Sequence, residues 1–309
     1  MPLSPFFNSP HHFTLPSLRS LRISLGLLCL LCAALAGPRD VVAQETPYFV
    51  TYSHHLEEPG NLEIELNSIY GVQHAGNDYI APWVEFEYGA KAWWTTEFYL
   101  DWQGTFNDSA LFTGFRWENR FRPFMREHWI NPVLYVEYEN ITAADKTMIE
   151  VVGFDNQADS AVPNSQAQMD HQHELETKLI LSSDYKGWNI SENFIAEKNL
   201  GHDPWEFGYA VGASRPLRLA VTSESCNFCR ENFLLGGEVY GGLGTSWNFT
   251  QAGTSQYAAP VLAWQLPSGV TFRASPGFGL NSNSHPFILR WSVSYEIDRF
   301  AHRVRSLFR

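Results

Sequence analysis

The sequence predicts an all-β fold: an antiparallel transmembrane β-barrel of about twelve strands, within roughly ten to fourteen. A signal peptide precedes the barrel and a short basic tail follows it. Three observations carry this expectation. Apolar and polar residues alternate in one ribbon after another, each about the length of a tilted membrane-crossing strand. Aromatic residues gather at the ribbon ends, as in interfacial girdles. The connections differ in length on the two sides, with tight turns on one and mostly longer polar loops on the other.

The stretch WVEFEYGAKAWWTTEFYLDW at 83–102 shows the alternation at its plainest. Acids recur at every second position and Trp, Phe and Tyr fill the gaps. Comparable segments run over 61–71, 79–88, 91–102, 110–122, 132–141 and 173–183. Others follow over 187–198, 204–214, 232–243, 256–266, 269–279 and 286–298. In the first, Leu62, Ile64, Leu66 and Tyr70 share one face while Glu63, Glu65 and Asn67 share the other. In the fourth, Phe115, Trp117 and Phe121 oppose Arg116, Glu118, Arg120 and Arg122. The seventh and ninth are less regular, and Glu192 falls among apolar neighbours. Helical periodicity is nearly absent before the tail. A soluble sandwich with one wet face also alternates, but the long aromatic-ended strands and unequal connections favour the membrane. An open sheet would leave edge amides unpaired in lipid, so the strands must close. An even strand number puts both chain ends on the periplasmic side.

The tight turns are expected between segments 2–3, 4–5, 6–7 and 10–11, where Gly89-Ala90-Lys91, Tyr185-Lys186-Gly187 and Leu266-Pro267-Ser268-Gly269 supply turn chemistry. The longest loop covers 141–172. The connection between segments 8 and 9 departs from the rule: it should be short but holds 215–231, including Cys226-Asn-Phe-Cys229.

Residues 1–43 read as a signal peptide. Arg19 and Arg22 precede an apolar run over 23–36, and Val41-Val42-Ala43 places small residues before Gln44. Leu30-Leu31-Cys32 lacks the small residues of a lipid-anchor site. The barrel is expected over 44–298 and a periplasmic amphipathic tail over 299–309. In the tail Phe300, Val304 and Leu307 recur at helical spacing among Arg299, Arg303, Arg305 and Arg309. Such a helix would lie at the rim or fold back into the lumen.

Composition excludes several classes. The 309 residues carry a formal net charge of −12, which is contrary to what nucleic-acid binding needs. All 11 Trp follow the signal peptide. Beyond the N-terminal region there is no uninterrupted apolar run of about 18 residues to make a spanning helix. Cys226 and Cys229 are the cysteines left after the signal peptide. Outside the cytoplasm such neighbours most simply form a local disulfide, and no His follows Cys229 for haem attachment.

The signal peptide, the ladder of strands, the aromatic ends and the final segment Phe287–Ile297 resemble a Gram-negative outer-membrane β-barrel. Over about 51–298 the chain is loosely similar to the outer-membrane proteins grouped under a phenol-degradation "MetA pathway" heading. The resemblance implies location in the outer membrane, with membrane lipid and the outer-membrane assembly machinery as partners.

The face opposite the aromatics is the candidate functional surface. It presents Glu63, Glu65, Glu85, Glu87, Glu97 and Asp101, then Arg116, Glu118 and Arg120, then Glu137 and Glu139, with Arg290 on the last segment. Basic residues flanked by acidic strands can form cross-strand ion pairs. The acidic excess favours a narrow polar channel for cations or small polar solutes. The alternative is a closed lumen serving structure or surface contacts. No cofactor is implied. His74, His171, His173, His202 and His285, with Asp170 and Asp203, fall in loops at no recognised metal spacing, so no metal site is assigned. A lipid-modifying enzyme is the third reading. By parity with Phe287 and Leu289, His285 would face lipid near Ser282 and Ser284, but no acid stands out to orient it. No catalytic residue is assigned.

Overall fold

The computed structural model describes residues 46–74, 76–148, 151–154, 162–201, 203–219 and 226–307. The expected signal peptide at 1–43 lies outside them, as do His202 and the last two residues of the tail.

Among the described residues twelve strands follow in order. They are β1 Leu62–Val72, β2 Tyr79–Lys91, β3 Trp94–Thr105, β4 Ala110–Phe121, β5 Asn131–Thr142 and β6 His171–Tyr185. After them come β7 Trp188–Asn199, β8 Glu206–Pro216, β9 Phe233–Thr245, β10 Gln256–Gln265, β11 Val270–Gly279 and β12 Phe287–Ile297. Each pairs antiparallel with its sequence neighbours, and β12 returns to β1, so the ladder closes. The closing register runs from Leu62 opposite Ile297 to Val72 opposite Phe287. Closure pairs the edge amides that an open sheet would expose.

Side-chain parity sorts the two faces. Leu66, Phe98, Trp117, Leu134, Phe194 and Val239 are exposed on the outside. Glu65, Glu97, Glu118, Glu137 and Arg290 are buried inside. A surface of exposed large apolar residues around a charged interior inverts the soluble arrangement and suits hydrocarbon outside. Aromatic clusters band both rims. Trp93, Trp94 and Phe121 stack at one end, and Trp102–Phe112 and Phe278–Phe287 meet at the other. Glu192 also points outward, exposed between Ile190 and Phe194.

The start of β1 and the end of β12 meet at one rim, here the terminal end, and the opposite rim is the loop end. The β6–β7 hairpin at the terminal end shows why its turn is tight. Lys186 and Gly187 have φ of 51° and 83°, the left-handed pair that matches strand twist in a two-residue turn. Two connections differ from expectation. The β3–β4 connection is only 106–109, because Asn107 takes a left-handed φ of 58°. The β4–β5 connection is not a tight turn but spans 122–130, and its Glu127 reaches inward to His54.

The barrel wall begins at Leu62, close to the start of the first expected segment. Residues 46–61 run inside it, with Tyr48, Val50, Thr51, Ser53 and His54 buried. From the loop end part of 143–154 also enters. Val152 and Gly153 bridge to Gly208 and Gly244, and Val151 and Val152 join Val50, Tyr79, Tyr240 and Tyr257 in one apolar cluster. The tail forms a helix, Phe300–Leu307, at the terminal rim. Its Ala301 N–H donates to the Gly60 carbonyl at 3.0 Å, and Arg299 N–H donates to Asn61 Oδ1 at 2.8 Å.

Candidate functional site

The twelve side chains expected inside all belong to the inward face, and most are joined in a ladder on β2–β5. Arg116 donates to both oxygens of Asp101, at 3.0 and 3.1 Å, and to Glu137 at 3.3 Å. Arg120 donates to Glu87 at 2.5 Å and to Glu97, and lies 3.0 Å from Glu118. Tyr99 donates its hydroxyl proton to Glu97 or Glu118, at 2.5 and 2.6 Å. The Arg116 guanidinium sits 4.3 Å from the centre of the Tyr99 ring. Glu63 and Glu85 face a smaller cavity of about 130 Å³ beside this ladder. Arg290 is apart, donating to the Tyr240 hydroxyl at 2.6 Å. Burying such a guanidinium–carboxylate network adds little net stability, because desolvation offsets most of the Coulombic gain.

Sequence parity passes over three residues with equal claims. Arg273 on β11 pairs with Glu65 across the intervening β12 and donates to the Tyr48 carbonyl at 3.0 Å. Lys178 on β6 pairs with Glu176 at 2.8 Å and lies over the Tyr52 and Tyr135 rings. Glu238 on β9 accepts three backbone N–H bonds: Phe49 at 3.0 Å, Val50 at 2.9 Å and Thr51 at 2.7 Å. Asn193 on β7 adds a two-way clamp, accepting from Tyr52 N–H at 2.5 Å and donating to Tyr52 O at 2.9 Å. Tyr48 donates to the Asn189 carbonyl at 3.1 Å, and Tyr52 donates to Glu118 at 3.2 Å. The segment is thus tied to β4, β7, β9 and β11, and the lumen is occupied.

Above this segment, toward the loop end, lies a cavity of about 540 Å³ with Val50 and Tyr52 on its floor. Eight acidic side chains line it, among them Glu139, Glu174, Glu197 and Glu206, against two cationic ones, Arg116 and Lys178. Such an excess in a partly enclosed space concentrates cations and repels anions.

Three of the expected loop histidines are placed otherwise, His171 and His173 on β6 and His285 buried. His74 and His171 are exposed, and His173 stacks on Tyr138 and bonds its hydroxyl at 2.9 Å. His285 does not face lipid. It is 4 % exposed, packs edge-on to Tyr79, and its backbone N–H donates to the Tyr257 hydroxyl at 2.6 Å. Parity fails there because β12 starts only at Phe287. Ser284 donates to the Gln256 carbonyl at 2.8 Å and also contacts Asn281. The Ser–His grouping weighed for lipid chemistry therefore has no lipid-facing member at His285. The histidines that do gather are His54 and His55, against Asp184. Burial and the neighbouring His55 push the His54 imidazole down to about 4 despite Asp184 and Glu127. Cys226 and Cys229 are joined at the terminal rim, with Cα atoms 5.5 Å apart.

No protein-family model matches the sequence, and no curated protein matches it. The likeness to the phenol-degradation group thus rests on the strand pattern. Among solved structures the chain is similar to an outer membrane channel from Pseudomonas putida F1, at 8 % identity and TM-score 0.49. That alignment covers 79 % of this chain and 98 % of the channel. It is also similar to the NanC porin, at 13 % identity and TM-score 0.43 over 76 % of this chain and 100 % of the porin. LpxR from Salmonella typhimurium aligns at 9 % identity and TM-score 0.37, over 76 % of this chain and 99 % of LpxR. The assignment rests on the molecule itself: a closed antiparallel ladder, an apolar exterior banded by aromatics, and a charged interior. The protein is a bacterial outer-membrane β-barrel. By the usual build of such barrels the terminal end faces the periplasm and the loop end faces outward.

Proposed function

We propose that this outer-membrane barrel is a channel for cations or small polar cationic solutes, held closed at rest by residues 46–61. The acidic outer vestibule carries the reading. About 540 Å³ of space, open toward the loop end and lined by eight acids against two cations, is a capture site for positive charge. Its floor is not wall but a segment anchored by hydrogen bonds, which can leave without breaking the strand ladder. Insertion through the outer-membrane assembly machinery belongs to the same reading.

The second reading is a permanently closed barrel. The full set of bonds from Glu238 and Asn193 to the segment favours it. Planar-bilayer recording of the mature protein beside a variant lacking 46–57 separates the two. The channel reading expects rare openings in the full chain and steady, cation-preferring openings after deletion. Glu174→Gln with Glu197→Gln should weaken that preference. Silence from both proteins, each shown to be inserted, would establish the closed barrel instead.

A further inference from the structure

We propose that His54, His55 and Asp184, completed by Glu127, form a site for a zinc-class divalent ion that fastens the inner segment to the barrel wall. The donors come from three separate elements at the periplasmic end. His54 and His55 belong to the inner segment, Asp184 to the end of β6, and Glu127 to the β4–β5 connection. Paired imidazoles with carboxylates form the donor set that suits zinc, whose bonds to nitrogen and oxygen run about 2.0–2.2 Å. Tetrahedral ligands at that range stand roughly 3.3 Å from one another. His55 Nε2 lies 2.9 Å from Asp184 Oδ2, and His54 Nε2 lies 3.0 Å from Glu127 Oε2 and 3.7 Å from Asp184 Oδ2. One atom each of His54, His55 and Asp184 falls within 4.8 Å of the others. The His54–Asp184, His55–Asp184 and His54–Glu127 spacings straddle that edge length, while Glu127 stands outside the three-residue group and would move in as the fourth ligand.

The surroundings fit as well. His54 Nδ1 lies 2.8 Å from Ser182 Oγ. A bond donated there leaves the Nε2 lone pair directed at the carboxylates, the outer contact that metal-bound histidines commonly have. The His54 side chain is wholly buried, while Glu127 and Asp184 are 60 % and 35 % exposed. An ion can therefore enter from the periplasm and find one rigid ligand and two adjustable ones. Glu127 is also held by Arg122, at 2.5 Å. Two carboxylates against that one guanidinium leave a net negative site for a dication.

An ion bridging His54 and His55 to Asp184 would cross-link the segment to β6 where it descends to the rim. Binding zinc at this site needs no channel activity, so its test is separate from that of the proposed function. Zinc is titrated calorimetrically into the tag-free mature protein in detergent, and hydrogen exchange of 46–57 is followed with and without the ion. The site predicts one equivalent bound and exchange over 46–57 slowed on the order of tenfold or more. His55→Ala and Asp184→Asn should each weaken binding at least about tenfold, while His171→Ala with His173→Ala should not. Both single changes lie at partly exposed side chains, so a normal heat-modifiable gel band confirms that the barrel has formed. If any of them misfolds, Glu127→Gln, at the most exposed ligand, serves in its place. No zinc uptake by the wild type, or uptake indifferent to the ligand changes, overturns the site. Uptake at the site with unchanged exchange of 46–57 overturns the fastening.

Discussion

Removing the Glu238 carboxylate should loosen the inner segment while leaving the barrel wall intact. The residue is 2 % exposed and receives the N–H groups of Phe49, Val50 and Thr51. Hydrogen bonds to a charged acceptor each contribute roughly 1.5–3 kcal/mol net. Glu238→Gln keeps one acceptor oxygen but turns an amide N–H group toward backbone donors. It should cost about 1.5–3 kcal/mol, or roughly a 10- to 150-fold shift toward the undocked segment. Glu238→Ala strands all three donors and should cost more, about 3–6 kcal/mol, with some relief from entering water. Hydrogen exchange measured over 46–57 reports the shift directly, and exchange in the strands serves as the internal reference. The wall should be indifferent, since the β8–β9 and β9–β10 ladders are backbone bonds that neither variant removes. Exchange within twofold of wild type for Glu238→Ala, in a normally inserted barrel, would refute the anchoring.

Three other changes test neighbouring parts of the argument. A Cβ at Gly212 would lie 2.7 Å from Cε1 of the Tyr48 ring. Gly212→Val should therefore expel that part of the segment and raise its exchange several-fold, and unchanged exchange would show that Tyr48 re-seats easily. Glu192 points into hydrocarbon midway along β7, opposite Leu181 and Val211. Glu192→Leu should stabilise the inserted barrel by about 1–2 kcal/mol, less than the known cost of a central Lys or Arg. Denaturant unfolding followed by Trp fluorescence reads this, and a loss of stability would mean that Glu192 has a partner in the membrane. Deleting 299–309 removes the contacts of Ala301 and Arg299 with Gly60 and Asn61. Assembly should persist at a cost of about 1 kcal/mol, with faster exchange confined to 58–61; failure to insert would give the tail an assembly role.

The wall was legible because the membrane enforces period two on every strand, and that constraint is written locally. Each expected segment overlaps the strand that forms, and the inward parity of Glu63 through Glu139 follows from it. Where the constraint stops, the reading stops. His285 stands before the first residue of β12, so extending parity past Phe287 put it on the wrong face. Glu238 was passed over because Gly236 and Gly237 interrupt the alternation of its strand. Residues 46–61, TPYFVTYSHHLEEPGN, have neither helical nor strand periodicity and contain Pro47, Pro59 and Gly60, so no element is expected there. Their burial is set by partners such as Glu238 and Asn193, 141 to 189 residues away. No local pattern encodes a contact at that separation.

The two inner walls explain why the segment belongs inside and is not filling a leftover void. On β3–β5 the inward side chains are ion-paired to one another, Asp101 with Arg116 and Glu97 with Arg120. On β8 the inward series is Gly208, Ala210, Gly212 and Ser214. A Cβ at Gly208 would lie 2.3 Å from the Val151 carbonyl oxygen, one at Gly212 2.7 Å from Tyr48, and one at Gly242 on β9 2.4 Å from the Gly153 carbonyl oxygen. Glycine weakens a strand interior and is kept where another backbone must come close. Here Gly208 and Gly242 admit the backbone of the loop from outside, and Gly212 admits the Tyr48 ring of the inner segment. Glu238 then supplies the one buried carboxylate of that wall to the segment's backbone. The occupied lumen is therefore specified by the wall itself, at some cost in strand stability. A barrel with no use for occupancy could fill the same space with larger side chains, as small barrels commonly do. Because a hydrogen-bonded segment can be withdrawn and larger side chains cannot, the choice of glycine favours a lumen that is closed but releasable.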